Sequence, residues 1–359
     1  YCPNEGFRTA GEVIETARGT ICPNHPDVPL QWLTERNWFF RLSAYQERLE
    51  RWFLDNPKAV QPDFRRNEML GFIRQGLEDF SISRAGATWG IPFPIGEDGQ
   101  TAQREDGSWD PEAGTIYVWY DALINYITGA GFPDDPASFN RYWPADLHVI
   151  GKDIARFHTI FWPAMLWSAG LEPPRRVWVH GWLLAAGGER MSKSRGNFLD
   201  PADFVAAFGS DGARYVVLRE VPFDRDAEVS WDSFVRRYNA DLANDLGNLA
   251  QRSLSMIGKQ LAGVLPQPGA FTDKDKTMLA SADAMAGHAR GQMKTQQLHQ
   301  VLNAVWAVVA DANRYFAGEA PWALAKTDPA RQGTVLYVTA EVIRQVAILA
   351  QPFMPTSSY

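Results

Sequence analysis

The segment Gly187-Gly-Glu-Arg-Met-Ser-Lys-Ser-Arg-Gly-Asn197 sets three cations (Arg190, Lys193 and Arg195) and two hydroxyls (Ser192 and Ser194) on a glycine-flanked loop. Fixed positive charge is worth most against charge that grows only in a transition state, so Lys193 and Arg190 suit a phosphate chain breaking beside them. Glycines at 187, 188 and 196 supply the backbone freedom to close and open. The plainer alternative is a solvated basic turn. A second constellation stands near the start, in Tyr1-Cys-Pro-Asn-Glu5 and Ile21-Cys-Pro-Asn-His25. Cys22 and His25 keep the spacing of zinc ligands, whereas Cys2 has Glu5 three residues on, where a second thiolate is usual. The set Cys2, Glu5, Cys22 and His25 reads either as a zinc site or as a degenerate knuckle that has lost its metal.

Arg190-Met-Ser-Lys-Ser194 resembles the KMSKS loop of class I aminoacyl-tRNA synthetases, with Arg for the first Lys. Upstream, the run from His148-Val-Ile-Gly-Lys-Asp153 to Phe161-Trp-Pro-Ala-Met-Leu166, and then Val179-His-Gly-Trp182, resemble the methionyl-tRNA synthetases in order and spacing. Trp38-Phe-Phe-Arg-Leu-Ser-Ala-Tyr45, Asp79-Phe-Ser-Ile-Ser-Arg84, Tyr117-Val-Trp-Tyr-Asp-Ala122, Gly247-Asn-Leu-Ala-Gln-Arg252 and Ala320-Pro-Trp322 extend the likeness over nearly the whole chain.

That resemblance implies ATP-dependent activation of L-methionine, with Mg2+, and transfer of the methionyl group to tRNA(Met). It further implies a cytoplasmic protein with neither membrane nor DNA as partner. Two anions meet in such a reaction, so charge neutralisation and positioning supply most of the catalysis. By the same resemblance Lys193 stabilises the pyrophosphate, Arg190 assists, and Ser192 and Ser194 shape the loop. Gly151, Asp153, His180 and Gly181 join Lys193 on ATP, the missing side chain at 181 letting backbone approach the nucleotide. Asp153 as a helix N-cap and His180 as a structural strand end are the plainer readings. Val118, Trp119, Ala122, Tyr126, Ile154, Phe157, His158 and Trp162 match the methionine pocket, whose aromatic walls suit a polarizable thioether. Without the resemblance, that stripe reads as core. Asn248 and Arg252, four apart on one helical face, and Trp322 match the readers of the CAU anticodon, where unstacked bases meet hydrogen-bonding and aromatic side chains. The class also carries a HIGH-type motif, and the histidines here (25, 148, 158, 180, 288 and 299) stand in none. The sequence therefore reads as an internal fragment without the N-terminal HIGH segment, expected to be inactive alone, with a noncatalytic tRNA-binding module as the alternative.

The elements that must position these residues fall into an α/β part and an all-α part. The fold class implied is the second half of a Rossmann-like class I catalytic domain, with a connective-peptide insertion and a C-terminal helical anticodon-binding bundle. Residues 1–78 read as the insertion, 79–184 as the catalytic half, 185–231 as the loop and its connector, and 232–359 as the bundle. Leu42, Tyr45, Leu49, Trp52 and Phe53 make one helical stripe, and Met69, Leu70 and Ile73 another. Thr115–Trp119, 147–150 and 177–180 read as strands alternating with helices, hence a parallel sheet with ligands at the strands' carboxyl ends. Pro163 should kink the helix that holds it. Amphipathic stretches at 232–259, 274–292, 295–317 and 333–350 read as an antiparallel bundle.

Composition sets outer bounds. The 359 residues are 45% apolar with 14 Trp and 20 Phe, enough for two or three cores, and two cysteines make no disulfide framework. No apolar run approaches bilayer-spanning length by this reading. A net charge of −7 argues against nonspecific coating of nucleic acid. Residues 232–359 hold 12 Lys and Arg against 10 Asp and Glu, so any RNA contact is local and shaped rather than a broad basic field.

Overall fold

The computed structural model describes Cys2 and residues 13–16, 19–31, 36–85, 89–96, 98–191 and 196–359. Two compact units divide the chain: the residues up to His148 together with Arg156–Val177, and Val149–Ala155 together with Trp178–Tyr359.

In the first unit an antiparallel three-stranded sheet of β1 (Ile14–Thr16), β2 (Gly19–Cys22) and β3 (His25–Pro29) brings Cys22 opposite His25. After β4 (Phe39–Phe40) comes α1 (Gln46–Asp55), which buries Leu49 and Phe53. Beyond β5 (Val60–Gln61), α2 (Asp63–Arg74) buries Met69, Leu70 and Ile73. α2 carries its predicted stripe inward, because residues three and four apart share a helix face; of the first stripe, Leu49 and Phe53 are buried on α1 with Trp52 half-buried, whereas Leu42 and Tyr45 fall in a 3-10 turn just before it. β6 (Phe80–Ser81) pairs antiparallel with β4, and β7 (Ser83–Arg84) with β8 (Thr115–Ile116).

Here the sequence expectation needs correcting. The predicted strand Thr115–Trp119 stops at Ile116, in an antiparallel ladder, and Val118 already opens α3 (Val118–Gly129). Tyr117 keeps an extended backbone as the N-cap, and Asp121 supplies negative charge in the first turn, where it meets the positive end of the helix. Those start signals override the strand preference of the β-branched and aromatic residues, and they place Trp119 on a helix rather than at a strand end. The chain continues through α4 (Pro136–Tyr142) to β9 (His148–Gly151). Later, a π-helical turn at Phe157–Phe161 runs into α5 (Trp162–Ser168), with Pro163 among its first residues. The bend expected from Pro163 is thus taken up in a widened turn just before it, where the missing proline N–H costs nothing. β10 (Val177–His180) follows, beside β9 in one sheet.

The second unit adds a parallel pair, β11 (Leu183–Leu184) with β12 (Ala227–Glu228), and α6 (Pro201–Glu220), broken at Gly209 where φ is 67°. α7 (Trp231–Arg237) starts on a Ser230–Ser233 capping box and passes through a π-helical stretch, Tyr238–Gly247, into α8 (Asn248–Gln260). α9 (Asp273–Met293), α10 (Leu298–Glu319), α11 (Pro321–Thr327) and α12 (Pro329–Ala350) complete it. Their inner faces meet in one core that includes Phe234, Leu249, Val305, Val309, Leu336 and Val342. α12 is long and apolar enough to cross a membrane by length and composition alone. That corrects the reading that no segment approaches this limit. Its apolarity serves the core instead, since Val335, Leu336, Val338 and Val342 are fully covered.

Candidate functional site

The first unit assembles an aromatic cluster from α3 and the π-helical turn. The Trp119 and Phe157 rings stack with centroids 4.4 Å apart and 19° between planes. Two helical turns further along α3, the Tyr126 hydroxyl lies 2.8 Å from His158 Nε2. The Trp162 ring lies 6.2 Å from Tyr126, and Val118 is 64% exposed at the rim. A π-helical turn carries an extra residue, which lets the consecutive Phe157 and His158 meet Trp119 and Tyr126 respectively. Burial raises the Tyr126 pKa above that of an ordinary phenol, so its hydroxyl keeps its proton. Behind it lies a residue that the sequence analysis did not single out. His148 is 6% exposed, its ring is 4.3 Å from that of Tyr126, and its Nδ1 has no hydrogen-bond partner among the described residues. Burial, and then the neighbouring His158, lower its pKa to about 4. Ile154, assigned to this pocket by resemblance, belongs to the second unit.

In the second unit Gly151, His180 and Gly181 stand where β9 and β10 end. His180 Nδ1 is 2.8 Å from the Gly181 carbonyl, and since a carbonyl only accepts, Nδ1 carries the proton. A Cβ at Gly151 would lie 2.7 Å from Asp153 Oδ1 and 3.7 Å from His180 Cε1. No side chain caps the turn at Lys152–Ile154, so the N-cap reading of Asp153 is not supported; its Oδ1 faces Trp182 Nε1 at 3.4 Å. Gly181 has a reason other than nucleotide access. A Cβ there would lie 2.1 Å from the Arg225 carbonyl carbon and 2.4 Å from the Asp226 nitrogen, so the chain itself passes through that space. Asp226 in turn accepts from Lys152 Nζ at 2.6 Å and from the Trp182 N–H at 2.9 Å. Asp226 did not announce itself in the sequence, since it lies more than forty residues from either partner.

Arg190, at the base of the cationic loop, bridges to Leu184 and sets its guanidinium 4.0 Å from the Trp182 ring, while the Lys152 ammonium lies 4.1 Å from the same ring. Asn197 Nδ2 donates to the Arg190 carbonyl, pinching the loop at its base. Ser192, Lys193 and Ser194 lie outside the described residues. In the helical part, the Arg252 guanidinium lies 5.1 Å from the Trp322 ring and 5.2 Å from that of Phe316. Asn248 is exposed one turn earlier on α8. At the other end of the sequence Cys2 Sγ and Cys22 Sγ are each 3.9 Å from His25 Nδ1, and the three ligand atoms lie within 4.8 Å of one another. Ligands on a tetrahedral zinc stand roughly 3.5–3.8 Å apart, so this donor set fits three corners of such a site. Glu5, the fourth candidate, lies outside the described residues.

Known proteins resemble the chain throughout. The family described as "tRNA synthetases class I (M)" matches residues 2–254, and the "Anticodon binding domain of methionyl tRNA ligase" matches residues 265–359. The methionine–tRNA ligase of Brucella suis biovar 1 (strain 1330) is 53% identical over 330 residues, which is 92% of this chain and 61% of the relative. That of Mycobacterium tuberculosis (strain ATCC 25618 / H37Rv) is 48% identical over 345 residues, 95% of this chain and 63% of the relative. The chain thus spans less than two thirds of the length of these relatives. The crystal structure of Mycobacterium tuberculosis methionyl-tRNA synthetase bound by methionyl-adenylate superposes with a TM-score of 0.88 at 46% identity, covering 100% of this chain and 68% of that one. Its apo form superposes with a TM-score of 0.85. With a class I catalytic fold followed by a helical anticodon domain, the chain belongs to the methionyl-tRNA synthetase family of class I aminoacyl-tRNA synthetases.

Proposed function

We propose that the protein carrying this chain is a methionine–tRNA ligase: it activates L-methionine with ATP and passes the methionyl group to the 3′ end of tRNA(Met). The observation that carries this reading is the Tyr126–His158 hydrogen bond set beside the Trp119–Phe157 stack. An aromatic wall favours a thioether, and one polar pair distinguishes it from a plain aliphatic side chain. His180 and Gly151 serve the adenosine end. Lys193 and Arg190 neutralise the departing pyrophosphate of ATP, which arrives with Mg2+. Arg190, exposed to solvent, rests on the Trp182 ring, which holds its charge near the site. Asn248, Arg252 and Trp322 read the CAU anticodon, Trp322 by stacking and the other two by hydrogen bonds. Cys2, Cys22 and His25 hold a structural zinc, with Glu5 completing the set, and the site of work is the cytoplasm.

Exchanging this chain for the matching segment of the M. tuberculosis relative tests the reading. Methionine-dependent ATP–pyrophosphate exchange and charging of tRNA(Met) are expected, and Lys193→Ala should lower exchange about 100- to 1,000-fold, as loss of one transition-state donor does. A folded exchange protein that bound tRNA(Met) but activated no amino acid would favour the tRNA-binding module instead.

A further inference from the structure

The side chain proposed to stack on an anticodon base, Trp322, sits on a seven-residue helix whose placement is settled by one residue. Ala320 closes α10 and opens α11 at φ 47° and ψ 56°. A left-handed conformation is unfavourable for any residue with a Cβ and persists where its surroundings dictate it. The residue before it is clamped. The Glu319 carboxylate, ending α10, accepts from Arg331 Nη2 at 2.6 Å and from Lys274 Nζ at 3.0 Å. Arg331 is itself held: its two terminal nitrogens grip the fully buried Asp275 at 2.5 and 2.8 Å. Tyr315 Oη donates to the same Asp275 carboxylate at 2.5 Å, and Asp275 Oδ2 accepts from the Thr272 N–H at 2.8 Å in the capping box of α9. Three helices, α9, α10 and α12, thus converge on a single guanidinium, and the bidentate fork fixes its direction as well as its charge.

We propose that Arg331 is a positioning residue for anticodon recognition, acting through Glu319 to hold the Ala320 pivot and so the Trp322 ring. This inference rests on the reading of Trp322 as a base-stacking residue. The clamp fixes the last turn of α10, the pivot fixes the direction in which α11 leaves, and Pro321, buried, seats its first turn. Trp322 remains 48% exposed, with its ring 6.0 Å from that of Phe316 and Arg252 alongside. A presented ring that need not be ordered on binding loses less entropy when a base arrives.

The test uses the 359-residue chain and two RNA stem-loops, one with a CAU anticodon and one with that triplet changed, with 2-aminopurine in the CAU loop to report stacking. Glu319→Gln leaves the buried Asp275–Arg331 pair in place. It is expected to weaken CAU binding about tenfold, the order of one lost base–aromatic stack, and to reduce the quenching of 2-aminopurine. The altered loop should bind as before, and adding Trp322→Ala should cost little more, because the two changes act on one contact. Should Glu319→Gln fail to fold, Ala320→Gly loosens the pivot without touching a charge, and the same loss of CAU preference is expected. Unchanged CAU binding in a folded variant, or an equal loss on both loops, overturns the inference. If the unaltered chain does not distinguish the two loops, the anticodon reading itself falls and this inference with it.

Discussion

Substituting alanine at Gly181 tests the packing beneath the nucleotide end of the site. The added Cβ would sit 2.1 Å from the Arg225 carbonyl carbon and 2.2 Å from its oxygen. Carbon contacts are comfortable near 3.5 Å, so the two backbones must part by about 1.4 Å. No flexible side chain can absorb that displacement, because the colliding atoms are main chain. Overpacking of this kind costs about 1–3 kcal/mol, and a main-chain collision belongs at the upper end. The displaced residues also include Asp226, which anchors Lys152 and the Trp182 N–H, so the Trp182 ring between Lys152 and Arg190 should move with it. Urea unfolding of the Gly181→Ala chain, compared with Gly258→Ala on α8 where a Cβ meets nothing within 4 Å, isolates the steric effect. The control should gain about 0.5–1 kcal/mol, since alanine suits a helix better than glycine. A shift of the Trp182 indole resonance in Gly181→Ala would follow the same displacement. If Gly181→Ala unfolds at the wild-type urea concentration, the strand end has slack that the structure does not contain, and the argument fails.

Three other outcomes follow from the same geometry. Asp275→Asn leaves Arg331 without its buried counter-charge and should destabilise the helical part by about 3 kcal/mol, whereas Glu341→Gln, at an exposed Arg344 pair, should cost less than about 1 kcal/mol in the same urea titration. Burial would by itself raise the Asp275 pKa, but its hydrogen bonds to Arg331 and Tyr315 hold it well below the usual carboxylate range. With the folded value below the unfolded one, that stabilisation is present at neutral pH and is lost as pH falls below about 4; an acid titration of the urea midpoint should flatten in Asp275→Asn. His148, lowered to about 4, should show no imidazole titration between pH 8 and 5 by NMR, and His148→Phe should lessen the stability lost below its unfolded value of about 6.5. Finally, Co2+ added to the chain should give thiolate-to-metal absorption that weakens in Cys22→Ser, whereas absorption indifferent to Cys22 would dismiss the metal centre.

Local patterns were legible where one physical term dominated. The stripes of α1 and α2 follow the helical period, and the Cys22–His25 pair shares a short turn, so both could be read without tertiary knowledge. Trp119 was assigned to a strand because β-branched and aromatic neighbours favour one, and the N-terminal signals of α3 outweighed them. The helix expected around Pro163 contains a π-helical turn, which no periodic template predicts. At Gly181 the resemblance implies nucleotide access, and the structure adds a second demand for glycine, the Arg225 backbone, which no local pattern contains. Asp226 and Arg331 were invisible for a common reason: their partners, Lys152 and Asp275, lie at sequence distances over which only the fold decides what meets.

The widened turn at Phe157–Phe161 gives this helix one residue of slack. Deleting Thr159 would let the segment close as an ordinary helix while the side chains beyond it keep their direction, so Trp162 would stay in the neighbourhood of Tyr126. The same deletion inside α5, which holds no surplus residue, would swing every later side chain by roughly 100° about the axis. Comparing the two deletions exposes what point substitutions cannot: the turn absorbs a change in residue count that the helix after it does not.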